Sequence, residues 1–419
     1  MSEPSPPRPA SDPDDPSPED PISPKGPAFV AFLTALASLA PLSVDMFLPS
    51  LPTLAREFGT PEAHMQLSVT LFVVAFAPSQ LIFGPLSDRF GRKPALVGGL
   101  VLYALGGVAC LMASSVETFI AARILQGLSA GSGPAISRAM VRDVYQGARA
   151  AQVFAHVTTA IALAPMLAPV VGGFLQGAFG WRSVFWVLIA LGCLLLPLVA
   201  FGIAETNRHT DPEALRVRRW VDNHKRLLGD RVFMGSALLF SLSFSGQFIF
   251  ISNSPFVLID LLDVSPRVFG FCFAAVASAL AVGAFTGGRL VPRMGLRRTM
   301  MVGVGLGCGA GLVLAALIWG GHQSIAGVIV PMFFFAMGFS IARPPAMAAA
   351  LSPYPHMAGL ASAFLGFMQM SLGGLAAVVF GALYDGTPRP MAAGVAASGL
   401  LALLVFLALS PRGESHGVD

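Results

Sequence analysis

From Ala28 to the last ten residues the sequence is a succession of apolar runs, parted by short polar stretches. A bilayer's hydrocarbon core, about 30 Å thick, takes about 20 apolar residues of helix to cross, so the chain accommodates roughly twelve spans. Only 11% of the 419 residues are charged and mean hydropathy is +0.72. Soluble domains carry about 25% charged residues, so these runs belong to an integral membrane protein. The 45 glycines and 33 prolines fit that class, because small residues let membrane helices pack closely and proline kinks are tolerated there.

The spans are expected at about 28–50, 65–86, 94–113, 118–141, 151–176 and 182–204. Six more are expected at about 232–253, 268–291, 299–319, 325–351, 359–382 and 391–410. Residues 1–27, rich in Pro, Ser, Asp and Glu, read as a disordered tail and not as a signal peptide. Residues 205–231 are polar and basic, with Arg216, Arg218, Arg219, Lys225 and Arg226, and read as a linker between two halves. Residues 411–419 form a second tail. The positive-inside rule puts both termini and the linker in the cytoplasm, leaving only Arg56, Arg182, Arg267 and Arg389 in outer loops.

The net charge of +4 does not indicate a nucleic-acid partner, because the basic residues border spans and form no single patch. Cys110, Cys193, Cys272 and Cys308 all lie in apolar runs and read as small buried side chains, with neither metal-ligand spacing nor a disulfide framework.

Between the second and third spans stands Gly84-Pro-Leu-Ser-Asp-Arg-Phe-Gly-Arg-Lys93. It reads as a tight charged turn, in which Gly84 and Gly91 allow close approach and unusual dihedrals. Asp88 sits among Arg89, Arg92 and Lys93, which suits an ion-pair network. A second copy, Gly288 to Arg297, aligns on the first without gaps at an offset of 288 − 84 = 204, with Pro292 in the position of Asp88. Internal duplication is how many transporter folds are built, with the substrate site between the repeats.

The decapeptide resembles the helix 2–3 loop signature of the major facilitator superfamily. That resemblance implies an all-α membrane fold of about twelve helices in two pseudo-symmetric halves, 28–204 and 232–410.

Charges inside a membrane are costly and need a reason. Asp45 is the one carboxylate well within a span; it reads either as a proton carrier or as a boundary residue orienting the Pro49–Pro52 turn. Arg123, in Arg123-Ile-Leu-Gln-Gly127, needs carbonyl or carboxylate partners if buried. It resembles the superfamily's R-x-x-Q-G element, which implies proton coupling; snorkelling near the surface is the alternative. Asp143 is a candidate partner for Arg92, together with Asp88 as an inner gate, or else belongs to a solvated helix end. Pro165, Pro169, Gly172 and Gly173 predict a distorted, closely packed fifth span. They resemble an antiporter signature, with alanine at both leading glycines, and imply exchange. Arg343 either faces a central cavity, where it attracts an anionic or polar substrate group, or snorkels. Met46, Gln80, Phe244, Gln247 and Gln369 are candidates for an apolar pocket with sparse polar groups.

Further stretches, among them Asp45-Met-Phe-Leu-Pro-Ser-Leu-Pro52, Ser137-Arg-Ala-Met-Val-Arg-Asp143 and Tyr384-Asp-Gly-Thr-Pro-Arg-Pro-Met391, resemble the Bcr/CflA branch of drug-efflux antiporters. The resemblance implies a monomeric protein of the bacterial inner membrane that exports drug-like molecules in exchange for protons. Its energy source is the proton gradient, with no cofactor or metal. A proton-coupled transporter of a small metabolite is the alternative. A membrane-embedded enzyme is disfavoured, because no nucleophile, base or metal set is clustered.

Overall fold

The computed structural model describes residues 26–207, 210–212, 214, 225–354 and 357–409. The expected tails over 1–25 and 410–419, and most of the basic linker, including Arg216, Arg218 and Arg219, lie outside the described residues.

Every regular element among the described residues is helical. In order they are α1 (Pro27–Asp45), a 3-10 turn (Leu48–Ser50), α2 (Leu51–Glu57), α3 (Glu62–Phe90), α4 (Arg92–Met112), α5 (Val116–Ala130), α6 (Ser132–Val144), α7 (Gly147–Phe179) and α8 (Arg182–Gly202). The second half holds α9 (Arg231–Pro255), a π-helical turn (Phe256–Leu261), α10 (Pro266–Trp319), α11 (Ile325–Leu351), α12 (Ala358–Ala382) and α13 (Arg389–Leu409). Ten helices among the described residues are long and apolar enough to cross a membrane.

Local chemistry sets the ends of these helices. Ser115 and Thr118 form a reciprocal capping box on α5, and the Asp230, Ser265 and Ser324 side chains cap α9, α10 and α11. The decapeptide departs from its expected form. Helix α3 runs through Gly84 and Pro85 to Phe90, and the turn is compressed into Gly91, at φ 99° and ψ 154°. Gly84 makes no close approach: a Cβ there would meet nothing within 4 Å. Gly295, at position 91 + 204, repeats the device with φ 78° inside the continuous run of α10. The two expected spans 268–291 and 299–319 therefore join through one glycine. Cys110 and Cys308 are buried as expected, whereas Cys193 is exposed on α8.

One end of the molecule carries Gly59 and the π turn; the other carries Gly91 and Gly295. The halves meet mainly through α7 against α10 and α3 against α12. Packing is uneven along this seam. The core of the first half is continuous with residues of the second half nearest the Gly59 end, such as Phe250, Phe256, Phe269 and Met332. Near the Gly91 end the second half has separate cores, one around Phe233, Phe240 and Phe364 and one around Val304, Ala342 and Ala346. The halves share one core at the Gly59 end and keep separate cores at the Gly91 end.

Candidate functional site

Three groups of side chains stand out, two within the first half and one between the halves. At the Gly91 end, Arg92 is nearly buried on the first turn of α4. Its Nε donates to Asp143 Oδ2 at 2.9 Å, and its Nη1 donates to Ser87 Oγ at 2.8 Å and to Asp88 Oδ1. Asp143 also accepts from Thr206 Oγ1 at 3.2 Å. The structure thus joins Asp88, Arg92 and Asp143 from three elements. Arg89 stays outside the group and lies over the Phe90 ring, 5.2 Å from its centroid.

Sequence reasoning missed Glu205. Its carboxylate accepts from the backbone N–H groups of Arg92 and Lys93, both at 2.9 Å, and so caps α4. A Cβ on Gly91 would come within 2.7 Å of Glu205 Oε2, so the glycine serves both the turn and the cap. The available signal was an acid directly after the sixth span, on the side of the membrane where the decapeptide is expected.

The second group lies inside the first half. Arg123 is fully buried. It donates from Nη1 to Gln126 Oε1 at 2.6 Å, from Nη2 to Ser43 O at 3.0 Å and from Nε to Ser68 O at 3.4 Å. Phe72 and Phe47 supply ring faces 4.3 and 4.9 Å from its Cζ. Ser43 Oγ also shares a 2.6 Å hydrogen bond with Tyr103. Asp45, two residues beyond Ser43, is buried at the end of α1 and makes no hydrogen bond or ion pair with a described residue. The structure ties Arg123 to the backbone beside Asp45 and does not pair the two side chains.

The third group seals the Gly59 end. Gly172 backs onto the Met46 carbonyl, and Gly173 onto the Pro266 carbonyl of the other half. Gly270 returns the contact, with room for no Cβ against Pro169 O at 2.6 Å. Pro165 lies one turn before Pro169 in the same helix. Gln66 Nε2 donates to Asn253 Oδ1 at 3.0 Å, and Arg56 pairs with Asp260 at 3.4 Å, both across the halves. Sequence reasoning named none of these four residues as cross-half partners.

Of the expected cavity residues, Met46 is buried with its carbonyl against Gly172 of the same half, and Phe244 stacks on Phe248, 5.8 Å between centroids, against Gly373. Gln247 is buried with its Oε1 unpartnered among the described residues, and Gln369 is buried on α12. Gln80 accepts from Arg138 Nη2 at 2.9 Å, and Arg343 is exposed, with Cζ 5.6 Å from the Phe240 ring. Among the described residues no cluster suits a metal ion.

The family model described as Major Facilitator Superfamily matches residues 33–378. The chain is 32% identical to the uncharacterized MFS-type transporter YdgK of Bacillus subtilis, over 88% of this chain and 92% of that one. It is 31% identical to a chloramphenicol resistance protein of Pseudomonas aeruginosa, covering 77% and 76% of the two chains. It is 28% identical to a bicyclomycin resistance protein homolog of Haemophilus influenzae, covering 90% and 95%. Among solved structures, the inward-open xylose transporter XylE of E. coli aligns with a TM-score of 0.72 at 16% identity, covering 93% and 97%.

Proposed function

The chain belongs to the Major Facilitator Superfamily, and on this basis we propose that it is a proton-coupled efflux transporter of antibiotics and other drug-like molecules, of the Bcr/CflA branch. The family and its relatives make it a transporter and not an enzyme. In this reading α5 and α6 together form one span and α10 forms two, hinged at Gly295, giving twelve spans across a bacterial inner membrane. Both termini and the Gly91 end are cytoplasmic, in keeping with the excess of Lys and Arg expected there. The protein works as a monomer and draws its energy from the proton gradient, without a cofactor.

The observation that carries the proposal is the one-sided packing of the halves, which share a core only at the Gly59 end. A molecule entering from the Gly91 end meets the seal formed by Gly173 against Pro266 and Gly270 against Pro169. Export then requires the seal to part while the Gly91 end closes, the rocking expected of repeat-built transporters. Asp45 supports proton coupling, as an unpaired carboxyl buried beside that seal, because a carboxyl in low-dielectric surroundings is costly as an anion. Coupling needs proton and drug to bind the two states with different affinity. Drugs as cargo are supported by relatives named for bicyclomycin, chloramphenicol and multidrug resistance.

The test is drug uptake by inverted membrane vesicles, acid inside, over a panel that includes chloramphenicol, bicyclomycin and sulfonamides. Gradient-driven uptake by the wild type, lost in Asp45→Asn, is the expected result. Uptake retained by Asp45→Asn would move the proton site elsewhere. No uptake of any compound, with the protein inserted normally, would overturn the efflux reading.

A further inference from the structure

Arg138 and Arg343 carry charge that the three groups above leave unused. Arg138 lies 144 − 138 = 6 residues before the end of α6, and Arg343 lies 351 − 343 = 8 before the end of α11. At 1.5 Å per residue both sit about 9–12 Å in from the Gly91 end. Their separation, 343 − 138 = 205, is one more than the repeat offset of 204, so each lies near the same depth of its own half without occupying the corresponding position.

Both side chains are exposed, and the pattern around each turns that exposure inward. Met332, Ala336, Phe339 and Arg343 recur at i, i+4, i+7 and i+11 and form one face of α11. The first three are buried against protein, and Phe339 meets Phe240 at 5.8 Å and Phe244 at 6.1 Å. Phe334, nine residues before Arg343, is exposed on the opposite face, where lipid would cover it. Arg343 therefore continues the interior face toward the Gly91 end, where the cores of the two halves are separate. Arg138 is bonded to Gln80, and a Cβ on Gly366 of the other half would lie 3.9 Å from Gln80 Nε2. Arg138 thus stands, through Gln80, at the seam between the halves.

Among the described residues no carboxylate pairs with either guanidinium. Arg138 has a neutral amide, and Arg343 has an aromatic face. Arg142, one turn from Arg138, adds a like charge. Cations at membrane depth are costly and are retained where they face a water-filled path or a partner. Close to Arg343 the half-buried Phe244, backed by Phe240 and Phe339, offers an aromatic face suited to an apolar or aromatic body.

We propose that the Gly91 end of the seam takes amphiphilic organic anions, with Arg138 and Arg343 supplying counter-charge to a carboxylate, sulfonate or phosphonate from opposite halves. The inference rests on reading that end of the seam as the cargo site, and it narrows that cargo to a charge class. An anion held between the halves would also draw their inner ends together, because each arginine belongs to a different half.

The test is equilibrium binding to the purified full-length protein in detergent, which needs no gradient, using chloramphenicol succinate and its neutral parent chloramphenicol. The wild type is expected to bind the succinate at least tenfold more tightly than the parent. Arg138→Gln and Arg343→Gln should each bring that ratio close to one. Arg343→Lys, which keeps the charge, should retain most of the preference and controls for a folding defect. A wild type that binds the anion no better than the parent, or a preference unchanged in both glutamine variants, overturns the inference. Gradient-driven efflux of neutral drugs would survive that outcome. Conversely, an arginine-dependent anion preference without any gradient-driven uptake would overturn efflux and leave this inference standing.

Discussion

Arg92 holds two carboxylates with one guanidinium, and the two are not equivalent. The Asp143 side chain is 20% exposed and the Asp88 side chain 46% exposed, so water screens the second pair more. Asp143→Asn is therefore expected to reduce transport more than Asp88→Asn, by about tenfold against about threefold, as graded burial of an ion pair dictates. Uptake at matched expression measures both; equal losses would mean that burial does not rank this network. The pairing of Arg92 with Asp143 was available to sequence reasoning because a charge near a membrane helix end has few possible partners. Glu205 was not legible in that way. A lone acid after a span looks like ordinary solvated loop until folding brings it over the first turn of α4, 113 residues back. Asp45 and Arg123 were legible as costly intramembrane charges, but not their separation, which depends on how Arg123 is shared among Ser43, Ser68 and Gln126.

Helices were legible because apolar runs of membrane length leave the backbone little alternative. Their ends were less so. The decapeptide's polar residues suggested a loop, yet α3 keeps helical bonding to Phe90 because side chains at a membrane boundary reach water without unwinding the backbone. The cap on α9 yields a prediction at this scale. The Asp230 carboxylate accepts from Tyr354 Oη at 2.6 Å and from the Val232 and Phe233 N–H groups. The Tyr354 hydroxyl, and then these backbone donors, hold the Asp230 carboxyl below the usual carboxylate range. A lowered folded-state pKa contributes stability that is in full force above the unfolded value and fades as pH falls through the lowered one. Asp230→Ala is expected to cost about 1 kcal/mol at neutral pH, the usual loss for an N-cap. Thermal unfolding in detergent would read this as a lower midpoint at pH 7, with the gap to wild type narrowing in strong acid. A gap independent of pH would remove the carboxylate from the explanation.

At the scale of the whole molecule, the one-sided packing of the halves was not legible, because it depends on their relative position and not on any local run. Two helical halves built from one repeat can lean on each other at either end with similar packing. The seal is then a balance that small terms can move. Arg56 and Asp260 are 68% and 22% exposed, so their attraction alone is worth about 1 kcal/mol or less. Across a two-state seam that shifts the ratio of states by about fivefold at most. Arg56→Asp should open the Gly59 end, raising the labelling rate of a cysteine introduced at the neighbouring buried Ser254, and Asp260→Arg in the same chain should restore it. Failure of the second change to reverse the first would show that the pair does not hold the seal.

Arg56 and Asp260 are 260 − 56 = 204 residues apart, the repeat offset itself, so each meets the position that corresponds to its own. Two identical copies joined about such an axis would set arginine against arginine, or aspartate against aspartate. Attraction at this point exists only because the copies have diverged. The seam is thus a place where a duplicated chain gains by ceasing to be symmetrical, and where restoring perfect symmetry would turn a clasp into a repulsion.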